Sequence, residues 1–292
     1  MATTATASLY PDSSTLANFK AWAQFISNAF STFGWTLGSD TGQVNWGTIA
    51  SVPTVYGTFE IWESADAPSS TTPITLRIDY YYSSYSRVQI QIGTGGTDGA
   101  GNLLAPRSGS YGVHSFSNST GAYLTCYASG DNGSFRCMMF ATSGNFSNPY
   151  YYETFGFGIN RSVNSSGVAT SDYVNFLEWM TQSTTAIQAV VPSPLVGGVY
   201  PLENSNFNAP LPYTASLVAG GYLYIAPIFP IVGAPGNPSP DWLLTKIGYL
   251  SDDTQISVTM YGTPHTYVVY SNSGTNPSFV YGVQTAILMR YE

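Results

Sequence analysis

The stretch Tyr80 to Leu103, YYYSSYSRVQIQIGTGGTDGAGNL, decides the fold. Val88, Ile90 and Ile92 alternate with polar residues, the period of a strand that buries one face. A tyrosine cluster precedes this strand, and a glycine-rich turn, Gly93 to Asn102, ends it. Upstream, Thr58 to Trp62 and Ile74 to Tyr82 carry the same period of two, punctuated by Ala67-Pro68-Ser69-Ser70. Downstream, Tyr123 to Phe140 reads as a hairpin around Gly130-Asp131-Asn132-Gly133. Ile256 to Tyr261, His265 to Tyr270 and Val280 to Met289 are further strands.

Only residues 13 to 33 break this pattern. Leu16, Phe19, Ala23, Ile26, Phe30 and Phe33 recur at spacings of three and four, with Trp22, Phe25 and Ala29 widening the stripe. Ser13 or Ser14 is expected to cap its start and Gly34 its end. The fold class is therefore mainly β, an antiparallel β-sandwich with one N-terminal α-helix packed on a sheet. Tyr173 to Val191 fits neither period. Tyr222 to Val232 is apolar but broken by Pro227 and Pro230, which predicts an edge strand or a buried extended segment. The proline-rich run from Pro192 to Pro212 marks the best boundary, dividing a helix-plus-β unit (1–191) from a C-terminal β-segment (192–292) that could share the same sandwich.

Composition narrows the function classes. Charged residues make up 8% of the 292 positions and hydrophobic ones 43%, so the chain can fold while its surface stays nearly uncharged. The net charge is −8 and the eight basic residues are scattered, which argues against a nucleic-acid partner. No apolar run reaches the ~20 residues of a membrane helix. The opening MATTATASLYPDSS lacks the basic and apolar regions of a signal peptide, so synthesis in a cytoplasm is expected. The sequons at Asn118, Asn132, Asn145, Asn160 and Asn164 then imply no glycosylation and mark polar loops.

Candidate chemistry is sparse. His114 and His265 lie far apart without a second ligand at metal spacing, and no G-x-S-x-G elbow is present. Paired carboxylates would suffice for a glycosidase. Glu60 and Glu63 fall on opposite strand faces, Asp252 and Asp253 sit in a turn, and Glu178 beside Trp179 sets a carboxylate next to a sugar-stacking ring. The turn Gly93 to Asn102 lacks the Lys-Ser/Thr ending of a phosphate loop and the ligand pattern of an EF-hand, although Asp98 and Asn102 could share a calcium ion. The expectation is no catalytic residue, no metal site and no cofactor.

Cys126 and Cys137 face each other only if Asp131-Asn132 forms the hairpin turn. An Asn132-Gly133 turn shifts the register and separates them. Two buried, reduced thiols are the favoured reading. Tyr80, Tyr81, Tyr82 and Tyr85, with Tyr150, Tyr151 and Tyr152, cannot all point inward on alternating strands, so they are assigned to an interaction surface.

The order Thr58-Phe59-Glu60-Ile61-Trp62, then Ile74 to Tyr80, then the strand into Gly93-Thr94-Gly95 and Asp98-Gly99-Ala100-Gly101-Asn102, resembles virion proteins of tailed bacteriophages. Gly262 to Tyr270 and Met289-Arg290-Tyr291-Glu292 look like the same group. The resemblance covers roughly residues 10–105 and 255–292, and its motifs are structural. It implies a non-enzymatic structural component of a phage particle: tail, baseplate, neck or head decoration. Its partners would be copies of itself and other virion proteins, and its location the virion. Two other readings remain open: a receptor-binding tail protein that recognises host surface glycans through the tyrosines, and a polysaccharide depolymerase.

Overall fold

The computed structural model describes residues 3–9, 15–82, 86–104, 111–116, 124–141, 154–163, 169–180, 187–191, 198–202, 218–219, 222–223, 225–228, 239–246, 254–260, 262–271 and 285–292. The fold is mainly β, with antiparallel sheets and, among the described residues, a single α-helix.

The helix α1 spans Leu16–Thr32. Its N-cap is Thr15, whose hydroxyl accepts from the backbone N–H of Asn18 at 3.3 Å; the serines expected to cap it lie outside the described residues. At the other end Gly34 takes a positive φ of 88°. The N–H of Gly34 reaches the carbonyl of Ser31 and that of Trp35 the carbonyl of Phe30, a Schellman closure. The rings of Phe30 and Trp35 then meet edge to face at 5.3 Å, the apolar contact that accompanies this motif.

A front sheet contains β2 (Thr36–Leu37), β3 (Phe59–Glu63), β4 (Thr75–Tyr82), β5 (Ser86–Gly93) and β6 (Tyr111–Phe116), in that order. A seven-stranded sheet has the order β1-β7-β8-β9-β10-β11-β12. Its strands are β1 (Thr3–Leu9), β7 (Leu124–Asp131), β8 (Ser134–Ala141), β9 (Thr154–Val163), β10 (Ala169–Met180), β11 (Ile187–Val191) and β12 (Gly198–Leu202). A two-stranded ribbon, β13 (Val218–Ala219) with β14 (Tyr222–Leu223), follows. The last sheet runs β15-β16-β19-β18-β17, from β15 (Ile225–Ile228), β16 (Ser239–Lys246), β17 (Gln255–Met260), β18 (Thr263–Ser271) and β19 (Thr285–Arg290). Here β15, carrying Pro227, is an edge strand as that proline requires. Of the stretch 173–191, residues 173–180 belong to β10 and 187–191 to β11, and the rest lies outside the described residues.

The helix is shared by two sheets. Phe19, Trp22, Ile26 and Phe30 join Trp62, Leu76, Ile78, Tyr80, Val88 and Ile90 of the front sheet in one buried cluster. The same cluster includes Cys126, Ala128, Phe135, Cys137, Met139 and Phe157 of the large sheet. Phe30 stacks on Trp62 on one side (5.4 Å) and on Phe135 on the other (3.7 Å). The opposite face of the large sheet meets the C-terminal sheet. There the Ser129 hydroxyl donates to the Arg290 carbonyl at 2.7 Å, and Tyr127 lies edge to face with Tyr291.

The β7–β8 hairpin turns at Asn132-Gly133, because Asp131 pairs with Ser134. Cys126 therefore faces Met139 and Cys137 faces Ala128; neither is in a disulfide and both are fully buried. No helix among the described residues is long and apolar enough to cross a membrane.

Candidate functional site

Alternation along β3 and β4 sorts the polar residues onto two faces. Glu60 and Trp62 share the inner face with Leu76, Ile78 and Tyr80. Phe59, Arg77, Asp79 and Tyr81 share the outer one.

On the inner face Glu60 is 2% exposed and takes four hydrogen bonds. Its Oε1 accepts from Ser27 Oγ of the helix at 2.8 Å and from Trp46 Nε1 at 2.7 Å. Its Oε2 accepts from Trp62 Nε1 at 3.1 Å and from the Tyr80 hydroxyl at 3.0 Å. Indole N–H groups can only donate, and a carboxylate offers roughly four lone-pair positions, so this acceptor is saturated. It has no lone pair left for a substrate proton. Instead it ties the helix, the 38–58 loop and two strands together. Tyr80 is wholly buried, and burial together with the adjacent Glu60 carboxylate pushes its phenol well above the ordinary tyrosine value.

On the outer face Arg77 and Asp79 form a bidentate pair, Nε to Oδ2 at 2.8 Å and Nη2 to Oδ1 at 3.0 Å. The third arm, Nη1, donates to the Gly101 carbonyl at 2.9 Å, and the guanidinium lies 4.1 Å from the Phe59 ring centroid and 5.3 Å from that of Tyr56. Burial raises the Asp79 carboxyl above the usual range even with Arg77 opposing it.

The glycine-rich turn closes over this pair. Gly101 N–H donates to Asp40 Oδ1 at 2.9 Å, and Thr41 N–H to the Gly99 carbonyl at 2.9 Å. A methyl group at Gly101 would sit 2.3 Å from the Phe59 ring, and its φ is +86°, so only glycine fits there. Asp98 accepts from the N–H groups of Ala100 and Asn102 and from the Asn102 side-chain amide, which hold its carboxyl below the usual range.

A third polar joint links the two core sheets. Arg161 of β9 grips Asp66 through Nε at 2.5 Å and Nη2 at 3.1 Å, and donates to the Thr72 carbonyl at 2.6 Å. Ala65 and Asn132 exchange two hydrogen bonds beside it.

These positions correct the tyrosine surface. Tyr80 belongs to the core, in phase with the apolar Leu76 and Ile78, and leaves the interaction surface. Tyr81 is on the outer face but 9% exposed, packed edge to face against Tyr56 with the Arg87 guanidinium over its ring. Tyr82 is half-buried against the core. Tyr85, Tyr150, Tyr151 and Tyr152 lie outside the described residues, as do Asp252 and Asp253. The register sets His114 opposite Val88, Glu178 opposite Phe157 and the half-buried His265 opposite Val258, on three different sheets. Glu60 and Glu63 occupy opposite faces, as alternation requires. Among the described residues no three His, Cys, Asp or Glu side chains gather at metal-binding distance.

Ser27, Trp46, Asp66, Arg77, Asp79 and Arg161 do not stand out as site residues in the sequence alone. A signal existed for Arg77 and Asp79, which share the phase opposite to Leu76 and Ile78. None existed for Arg161 and Asp66, which are 95 positions apart. No protein-family model, no curated protein and no solved structure matches this chain.

Proposed function

We propose that this chain is a non-enzymatic structural component of a tailed-phage particle, assembled through neutral β-surfaces with copies of itself and other virion proteins. One observation supports the reading most directly. The buried ionisable groups with described partners act as internal fasteners: Glu60 joins helix to front sheet, Arg77 and Asp79 hold the glycine-rich turn, and Arg161 with Asp66 joins the two sheets. With 8% of the residues charged and two of these fasteners being ion pairs, few charges are left for the exterior. Contacts made there would depend little on ionic strength, as a permanent symmetric assembly requires. The resemblance of residues 10–105 and 255–292 to phage virion proteins points the same way.

Imaging of purified particles carrying this protein is the test. Copies arrayed with the particle's symmetry are the expected result. Particles without a copy, together with a monomeric purified chain, would overturn the reading. Release of reducing sugar from host polysaccharide, abolished by Glu178→Gln, would replace it with a depolymerase. Binding on a glycan array that Tyr81→Ala abolishes would replace it with a receptor-binding protein.

A further inference from the structure

Among the described residues strand β17 closes one edge of the C-terminal sheet, pairing with β18 alone. Its sequence, Gln255-Ile256-Ser257-Val258-Thr259-Met260, has no charge and no proline, and its six pairs with β18 run without a bulge. Sheet edges in proteins that stay separate are blunted by charge, proline or bulging. The other edges here carry such devices or little strand: β15 has Pro227, β12 has Pro201, β2 has two residues and β6 is bulged against β5. Only β1 is comparably regular, and its alternating residues are threonine, alanine and serine, which offer little apolar area.

The geometry of the free edge can be worked out. Val269 N–H donates to the Thr254 carbonyl, so Thr254 and Val269 form a hydrogen-bonded pair. Alternation then turns the N–H and C=O of Ile256 and Val258 toward β18, and those of Gln255, Ser257 and Thr259 outward. The side chains of these last three are exposed, whereas Ile256 and Val258 are half-buried on the opposite face.

We propose that β17 is a self-association edge, pairing antiparallel with β17 of a second copy about a twofold axis at Ser257. Ser257 then faces Ser257 of the other copy, and Gln255 faces Thr259 in both directions. All three are outward-turned positions, so the three pairs exchange six backbone hydrogen bonds. In the same register Ile256 stands beside Val258 of the other copy on one face, extending each half-buried apolar row. Any odd shift would set apolar side chains against polar ones and misalign the donors. No charged residue lies on the strand, so nothing repels at the axis. The two five-stranded sheets become one of ten, within the usual range of open sheets. This inference depends on the edge alone and stands or falls separately from the phage assignment.

Sedimentation velocity of the full chain should show a reversible dimer. Ser257→Pro removes one outward donor from each copy and leaves the bonds to β18 intact, so dissociation should strengthen about ten- to a hundredfold with the melting temperature nearly unchanged. Ser257→Lys, which sets like charges at the axis, should act in the same direction if the proline disturbs the strand. Ser257→Cys should form an intermolecular disulfide under oxygen with a copper catalyst, two thiols giving up two hydrogens to oxygen, because facing Cα atoms of such a pair lie about 5.5 Å apart. Thr259→Cys, which faces Gln255, should not. A wild-type chain that is monomeric at all concentrations overturns the proposal. So does a dimer that survives both Ser257 variants without Ser257→Cys crosslinking.

Discussion

Glu60 accepts four hydrogen bonds, and none of its described partners is a cation. The charge is offset by the dipoles of two indoles, a phenol and a hydroxyl, which is adequate only while every one is in place. Glu60→Gln turns an NH2 toward an indole N–H, which can only donate, in either orientation of the amide. The variant should lose about 2–4 kcal/mol of stability in denaturant titration. Trp46→Phe removes one donor from the same group and should cost about 1 kcal/mol beyond its small change in ring area. Asp98 makes the opposite test at the surface. Its folded value lies below the unfolded one, so its contribution is present above the ordinary aspartate value of about 3.9 and is lost as pH falls through the lower folded value. Amide exchange at Ala100 and Asn102 should therefore quicken, relative to the intrinsic rate, only in that acidic window. Asp98→Asn should remove this pH dependence.

Among the elements, the helix and strands β3, β4 and β5 of the front sheet were legible because their periods are clean and their apolar phases agree, whereas β2 and β6 were not. The helix ended at Gly34 as its sequence announces, since no other residue closes a Schellman motif so cheaply. Gly34→Ala should cost about 1 kcal/mol in thermal or chemical unfolding. Gly101→Ala should cost more, because it adds a clash with Phe59 to the same backbone penalty. What sequence could not supply was partnership across distance. Strand β1, Thr-Thr-Ala-Thr-Ala-Ser-Leu, carries no large apolar row, and its place is fixed by β7. The role of the glycine-rich turn was not legible because Arg77, the residue it covers, lies 24 positions away from Gly101. Tyr80 was ambiguous only while taken with its neighbours. Its phase with Leu76 and Ile78 gives its side.

For the molecule as a whole, layering explains the behaviour of the two thiols. Cys126 and Cys137 lie inside the core shared by helix and sheets, and burial pushes both thiols far up, so neither is a nucleophile at neutral pH. A thiol reagent should find no reactive group in the native chain and two after unfolding, with no increase when a reductant is added. A pair bridged in the native state would react only in the presence of reductant. The hairpin register that decides this was one of two the sequence allowed, and a single backbone step at Asn132-Gly133 separates them.

The pairing of β1 with β7 also bears on how the chain is built in time. Thr3 pairs with Gly130, while the entire front sheet lies between them in sequence. A growing chain therefore releases its first strand long before that strand has a partner. Helix α1 and β2–β5 can close on one another meanwhile, leaving β1 waiting on a finished surface. Pulse-labelled exchange during refolding should find the amides of β4 and β5 protected ahead of those of β1. Until Leu124 to Asp131 arrive, the waiting strand is open to any other strand nearby, so the hazard for this protein is greatest during its own synthesis.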